Sequence, residues 1–91
     1  MMKYVIFQYK QLIMPVIIPE HVTHKQVSVE GGVPISAGFF TIKKGIVKCF
    51  GESESLKLKS RPEEDAKYID FTLGGYGTMF FMDLKDADDE K

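Results

Sequence analysis

The chain predicts a small α+β domain: an antiparallel or mixed sheet of four to five strands, with one main helix at about residues 61–73 packed on one face. Three observations carry that expectation. Runs rich in β-branched and aromatic side chains recur at 3–9, 12–18 and 39–50. A Ser-Arg-Pro-Glu sequence at 60–63 opens an apolar pattern with the period of a helix. Glycine pairs at 31–32 and 74–75 punctuate the runs, with no long linker between them.

Residues 3–9 (KYVIFQY) read as a first strand and 12–18 (LIMPVII) as a second, connected through Tyr9, Lys10 and Gln11. Pro15 has no N–H for a ladder, so the second strand is expected at a sheet edge or broken there. Residues 20–27 have mixed polarity and suit one short helical turn with Thr23 as its N-cap. Gly31, Gly32 and Pro34 mark a loop. A hairpin follows within 36–50, with Phe39, Phe40, Thr41 and Ile42 on one arm and Ile46, Val47, Lys48, Cys49 and Phe50 on the other. Its turn is either a three-residue Lys43-Lys44-Gly45 loop or a two-residue Lys44-Gly45 loop. The choice moves the register by one residue and exchanges the faces of one arm, so inward residues stay unassigned.

In residues 52–59, Leu56 and Leu58 alternate with Ser55, Lys57 and Lys59, which in an extended segment points the leucines inward and the lysines outward. Ser60 and Glu63 have the spacing of a capping box, and Pro62 is tolerated in a first helical turn. Glu63, Glu64 and Asp65 suit the positive end of the helix dipole and need no catalytic role. The helix is expected to run to about Leu73 and stop at Gly74-Gly75, with Ala66, Ile69 and Leu73 as its core stripe and Phe71 or Thr72 at the margin. Residues 78–84 (TMFFMDL) read as a last strand. Residues 1–84 therefore form one domain, and 85–91 a frayed acidic tail.

Composition bounds the function classes. Of 91 residues, 44% are apolar and 27% charged, a globular balance and not a disordered one. The lone Cys49 excludes an intramolecular disulfide and suits a reducing, cytoplasmic setting. No apolar run approaches the roughly 20 residues of a bilayer span, and Gln8, Lys10 and Gln11 interrupt any signal-peptide core. The chain is expected to be neither secreted nor membrane-bound. Its net charge of −1 is unevenly spread: residues 43–61 hold six basic and two acidic side chains, while 83–91 hold five acids and two lysines. Duplex nucleic acid is disfavoured, because no basic helix is present to enter a groove.

No catalytic or cofactor motif is legible. His21 and His24 are three apart and share a face on a helical turn, yet two histidines are half a metal site. Gly51-Glu52-Ser53-Glu54-Ser55 approaches the G-x-S-x-G elbow but has serine where the sharp turn needs glycine, and both histidines precede it. Cys49 reads as a buried or half-buried thiol. Gly74, Gly75 and Gly77 lack the lysine and serine of a phosphate loop. With no nucleophile–base or acid–base pair at a useful spacing, an enzyme ranks last.

Two constellations carry the functional expectations. Ser55, Lys57, Lys59, Ser60 and Arg61 lead into a helix N-terminus, where free N–H groups, hydroxyls and basic side chains favour an anion. The plainer reading is a solvated basic edge that deters sheet-to-sheet association. Phe39, Phe40, Phe80 and Phe81 put bulky apolar side chains on adjacent strand positions, hence on opposite faces. One helix covers one face, so a second copy of the chain is expected to cover the other.

The stretches SAGFF (36–40) and GESESLKLKSRPEEDA (51–66) resemble small proteins of tailed phages and prophages. That resemblance implies a bacterial cytoplasm during infection and a non-enzymatic task, either binding a host protein or sequestering a nucleotide signal. It assigns no functional residue. The leading expectation is a homo-oligomeric, non-enzymatic binding protein directed at a host protein or small anion. The alternative is a nucleotide-sequestering protein with its phosphate site at 57–61.

Overall fold

Four consecutive residues of the first strand, Tyr4, Val5, Ile6 and Phe7, are all buried, which a strand achieves only when both of its faces are covered. The computed structural model describes residues 1–76 and 80–81. In chain order these form β1 (Met2–Tyr9), β2 (Leu12–Ile18), a 3₁₀ turn (His24–Gln26), β3 (Val33–Lys43) and β4 (Ile46–Phe50). Then come β5 (Glu52–Ser53), β6 (Leu58–Lys59), α1 (Pro62–Phe71), a wide helical turn (Thr72–Tyr76) and β7 (Phe80–Phe81). The sheet has the order β4-β3-β1-β2-β7, with every pair antiparallel, while β5 and β6 form a separate ribbon. The α+β architecture expected from the sequence is present. The acidic tail, the ends of the last strand and Gly77 lie outside the described residues.

Each face of the sheet has its own apolar cluster. On the helix side, Tyr4, Ile6, Ile13, Phe40 and Cys49 meet Ile69 of α1. On the opposite side, Val5, Phe7, Ile18 and Ala37 are covered by Val22, Val27 and Val29 from the segment after β2, and by Leu56 and Leu58 from the ribbon region. The chain therefore covers its second face with its own loops. A second copy is not needed to cover this face.

Local chemistry explains the boundaries. β2 runs unbroken through Pro15, which lies opposite Ile6. Because β7 pairs only with Leu12 and Ile13, β2 at Pro15 is an outer strand among the described residues, where a missing N–H costs no ladder bond. Thr23 does precede the 3₁₀ turn, and its N–H donates to Gln26 Oε1 at 2.7 Å. β3 starts earlier than the glycine pair and Pro34 suggest. The register between β1 and β3 shifts between Ile6 and Phe7, so that Ser36 faces Ile6 and Pro34 faces Phe7. This bulge absorbs Ile35 and lets the proline join the strand.

The hairpin resolves to the two-residue loop. Lys43 pairs with Ile46, and both Lys44 (φ 53°) and Gly45 (φ 77°) are left-handed, the backbone signature of a type I′ turn. That register turns Phe40 and Cys49 inward together.

Helix α1 departs from its expected caps at both ends. Arg61 occupies the N-cap, and Ser60 gives its own N–H to the Gly51 carbonyl at 3.0 Å. The reach-back comes from Asp65 instead of Glu63: its Oδ2 accepts the Arg61 N–H at 2.8 Å. At the other end the helix does not stop on Gly74-Gly75. The Thr72 hydroxyl donates to the Tyr68 carbonyl at 2.8 Å, and the chain continues into a wider turn through both glycines. Leu73 is 45% exposed, so it is not part of the stripe. The inward residues are Asp65, Ala66 and Ile69.

Lys44 carries a side chain where a type I′ turn favours asparagine or glycine. Lys44→Asn is expected to raise stability by about 0.5–1 kcal/mol, seen as a higher urea midpoint at unchanged m. A lower midpoint contradicts the turn geometry.

Candidate functional site

The basic segment does not gather into the expected anion cradle. Glu52 pairs with Lys59 and Ser53 with Leu58, so residues 54–57 are a tight turn and not an extended run. The Ser53 hydroxyl oxygen accepts the Leu56 N–H at 3.2 Å, and Lys57 takes a left-handed φ of 57° to close the reversal. Lys57 and Lys59 then share a shallow depression with Glu52 and Glu54, which oppose an anion there. Ser55 lies in a different cleft, beside Lys3, His24 and Phe39. Arg61 turns away from both, its Nη2 3.2 Å from Asp65 and its Nε 3.8 Å from Glu64. The five residues share no surface.

The histidines separate as well. His21 is exposed. His24 is buried, its Nε2–H donates to the Gly38 carbonyl at 2.9 Å, and its ring meets Phe39 edge-on at 5.5 Å. It anchors the segment after β2 to β3. Among the described residues no group of three or more His, Cys, Asp or Glu side chains is placed to hold a metal, and no helix is long and apolar enough to cross a membrane.

A buried polar cluster centres on Asp65, which charge alone does not distinguish from Glu63 and Glu64 in the sequence. Asp65 has 0% exposure. Its Oδ2 accepts the Tyr4 hydroxyl at 2.5 Å and the Arg61 N–H at 2.8 Å, while its Oδ1 accepts the Ser36 hydroxyl at 2.8 Å and Arg61 Nε at 3.2 Å. Burial, reinforced by the adjacent Asp65 carboxylate, pushes the Tyr4 phenol far above its ordinary pKa. Burial also lifts the Cys49 thiol to about 11, opposed by a hydrogen bond with Tyr4 and assisted by the charge of Asp65. Tyr4, Ser36 and Asp65 are all fully buried, so no substrate reaches them. The cluster joins α1 to β1 and β3.

Three of the exposed apolar side chains, Met1, Met2 and Ile42, gather at one groove. A groove of about 700 Å³ opens where β1 begins, beside the end of β2 and the end of β3. Met1 and Met2 stand in the middle. Ile17, Ile18, Pro19 and Glu20 form one bank, and Phe40, Thr41, Ile42 and Lys43 the other. The register explains the juxtaposition: Met2 lies level with Phe40, and Lys3 with Ile18. Met1, Met2 and Ile42 are 65%, 39% and 42% exposed. Of the four phenylalanines expected at an interface, Phe40 floors this groove but is itself fully buried. Phe39 lies on the opposite face, stacked with Phe50 at 6.1 Å. The backbones of Phe80 and Phe81 pair with Ile13 and Leu12. Their side chains lie outside the description.

No protein-family model, no curated protein and no solved structure matches the chain. The site is therefore read from its own residues.

Two measurements test the buried cluster. Asp65→Ala leaves the Tyr4 and Ser36 hydroxyls and the inner edge of Arg61 without their acceptor, and is expected to cost about 3–5 kcal/mol. Tyr4→Phe removes one charge-assisted bond, for about 1.5–3 kcal/mol. Urea unfolding of both variants checks this order, and equal stabilities contradict it. The second measurement uses pH. A thiol that holds its proton more tightly folded than unfolded stabilises the fold fully below its unfolded pKa, and loses that contribution as pH rises through the folded value. The stability difference between the wild-type chain and Cys49→Ala should therefore shift against the wild type between pH 9 and about 11. A difference that stays constant across that range refutes the buried thiol.

Proposed function

We propose that the chain is a non-catalytic binding protein whose working surface is the apolar groove at the start of β1. The supporting observation is the groove itself: exposed Met1, Met2 and Ile42 above a floor of Ile17 and Phe40. A cavity of this size falls within the range of ligand sites, but its polar groups do not converge. Glu20, Thr41 and Lys43 lie along the banks, which suits a rim around an apolar contact better than a small polar ligand. Methionine favours such a surface, because its flexible thioether adapts to the shape laid against it. The occupant is a protein surface that brings apolar side chains to the groove.

The reading is tested with an environment-sensitive apolar dye, at a protein concentration low enough for the chain to sediment as a monomer. Dye fluorescence should rise with the wild-type chain and with Ile46→Asp, whose side chain is exposed outside the groove. It should fall to background with Ile42→Asp, once circular dichroism shows that variant folded. Equal fluorescence from Ile42→Asp and the wild type would sink the proposal.

A further inference from the structure

The loops that cover the second face of the sheet leave the outer part of the β3–β4 hairpin bare. Phe40, Val47 and Cys49 pack on the helix side, so strand alternation places Phe39, Thr41 and Lys43 of β3, with Lys48 and Phe50 of β4, on the other side. There the covering segments reach Val5, Phe7, Ile18 and Ala37. Beyond them Lys43 and Lys48 are exposed, and Phe50 stays 38% exposed while stacking on Phe39 at 6.1 Å. The charge of the hairpin has one sign. No Asp or Glu occurs from residue 31 to residue 51, a stretch that holds Lys43, Lys44 and Lys48.

From this arrangement we propose that the hairpin face binds single-stranded nucleic acid, with a base stacked on Phe50 and the adjoining phosphates held by Lys48, Lys43 and Lys44. Such sites combine an aromatic platform, which accepts any base, with cations that follow the backbone. The register supplies that order. Phe50 lies level with Phe39, Lys48 with Thr41, and Lys43 with Ile46. Two residues of a strand span roughly 7 Å, so the ring, Lys48 and Lys43 succeed one another toward Lys44 in the turn. Acids border this row without entering it. Glu52 and Glu54 line the cleft beside Phe39 and repel phosphate from the ring's far side, which directs the ligand's backbone toward the turn. Asp70 lies with Lys67 on the helix side of the turn, and Glu20 is paired with the Met1 α-amine at 2.8 Å. The exposed ring selects a single strand over a duplex, whose bases are already stacked, and over an acidic polypeptide, whose carboxylates need only the lysines. The proposal is independent of the role given to the apolar groove.

Fluorescence anisotropy of labelled oligothymidylate and oligouridylate, titrated with the purified full chain at low and rising salt, tests the site. The wild type should bind both and lose affinity as salt rises. Lys43→Gln combined with Lys48→Gln should flatten the slope of log affinity against log salt by about 1.4, roughly 0.7 for each phosphate contact on a single strand. Phe50→Ala should weaken binding by about fivefold or more at unchanged slope, and Phe50→Tyr, which keeps the ring, should bind like the wild type. Lys57→Gln combined with Lys59→Gln changes lysines of the separate ribbon and should leave binding unaltered. Thermal unfolding confirms that each variant is folded.

Absence of binding to either oligonucleotide at low salt overturns the proposal and leaves the lysines as guards of an edge strand. Binding that the Lys57 and Lys59 changes weaken as much as the Lys43 and Lys48 changes places the contact elsewhere and overturns it too. Binding that Phe50→Ala leaves unchanged, and that polyglutamate competes away, shows a site for acidic polypeptide and overturns the nucleic-acid reading.

Discussion

A single buried carboxylate organises this domain. Asp65 sits at 0% exposure and takes hydrogen bonds from strands β1 and β3 and from the residue that begins its own helix. Removing a carboxylate from water costs several kcal/mol unless its lone pairs are matched, and here donors reach both oxygens. The arrangement also fixes direction. The Tyr4 and Ser36 hydroxyls rise from neighbouring strands on the helix side of the sheet, so only one placement of the first helical turn satisfies both. Ile69, one turn later, then falls onto Tyr4, Ile6 and Phe40. Polar matching chooses the position, and apolar burial supplies most of the driving force.

The segments that flank the sheet depend on close backbone approach at Gly38. Where the chain leaves β4 it passes over Gly38, and a Cβ there would come within 2.6 Å of the Phe50 carbonyl oxygen and 3.1 Å of Ser60 Cβ. The same glycine's carbonyl receives the His24 ring. Gly38 thus lies where two covering segments converge, one after β2 and one after β4, and each brings aliphatic side chains to Val5 and Phe7. A ribbon as short as β5–β6 would not persist alone. It persists because Leu56 of its turn and Leu58 of β6 are partly buried against the Val5 and Phe7 cluster.

Strand content, the place of the helix and the inward Ile69 were all legible in the sequence, because β-branched runs and a 3.6-residue period report directly on burial. Asp65 was not. Three acids in a row at a helix start look alike to the dipole, and their chemistry does not say which one turns inward. The spacing does: Asp65 stands four before Ile69, on the buried stripe, and four after Arg61. The anion segment misled for a different reason. Alternating leucine and lysine suits an extended strand, but the Ser53 hydroxyl offers the backbone a competing bond that closes a turn. The hairpin register was ambiguous because Lys-Lys-Gly suits two loops. The burial of Phe40 and Cys49 on one face decides it, and that is a tertiary effect.

The groove was illegible for a geometric reason, and the same reason accounts for its existence. Its residues come from three strand ends distant in sequence, and only the register places Met2 level with Phe40. A helix is roughly 10 Å across, whereas four strands spaced about 4.8 Å apart spread their outer axes over some 14 Å. One helix packed mainly against β4, as α1 is, cannot also cover every strand end. Asp65 fixes the start of that helix, so the uncovered apolar area falls at the beginning of β1 and the adjoining ends of β2 and β3. The interaction that holds the helix in place thereby decides where the domain presents its apolar surface.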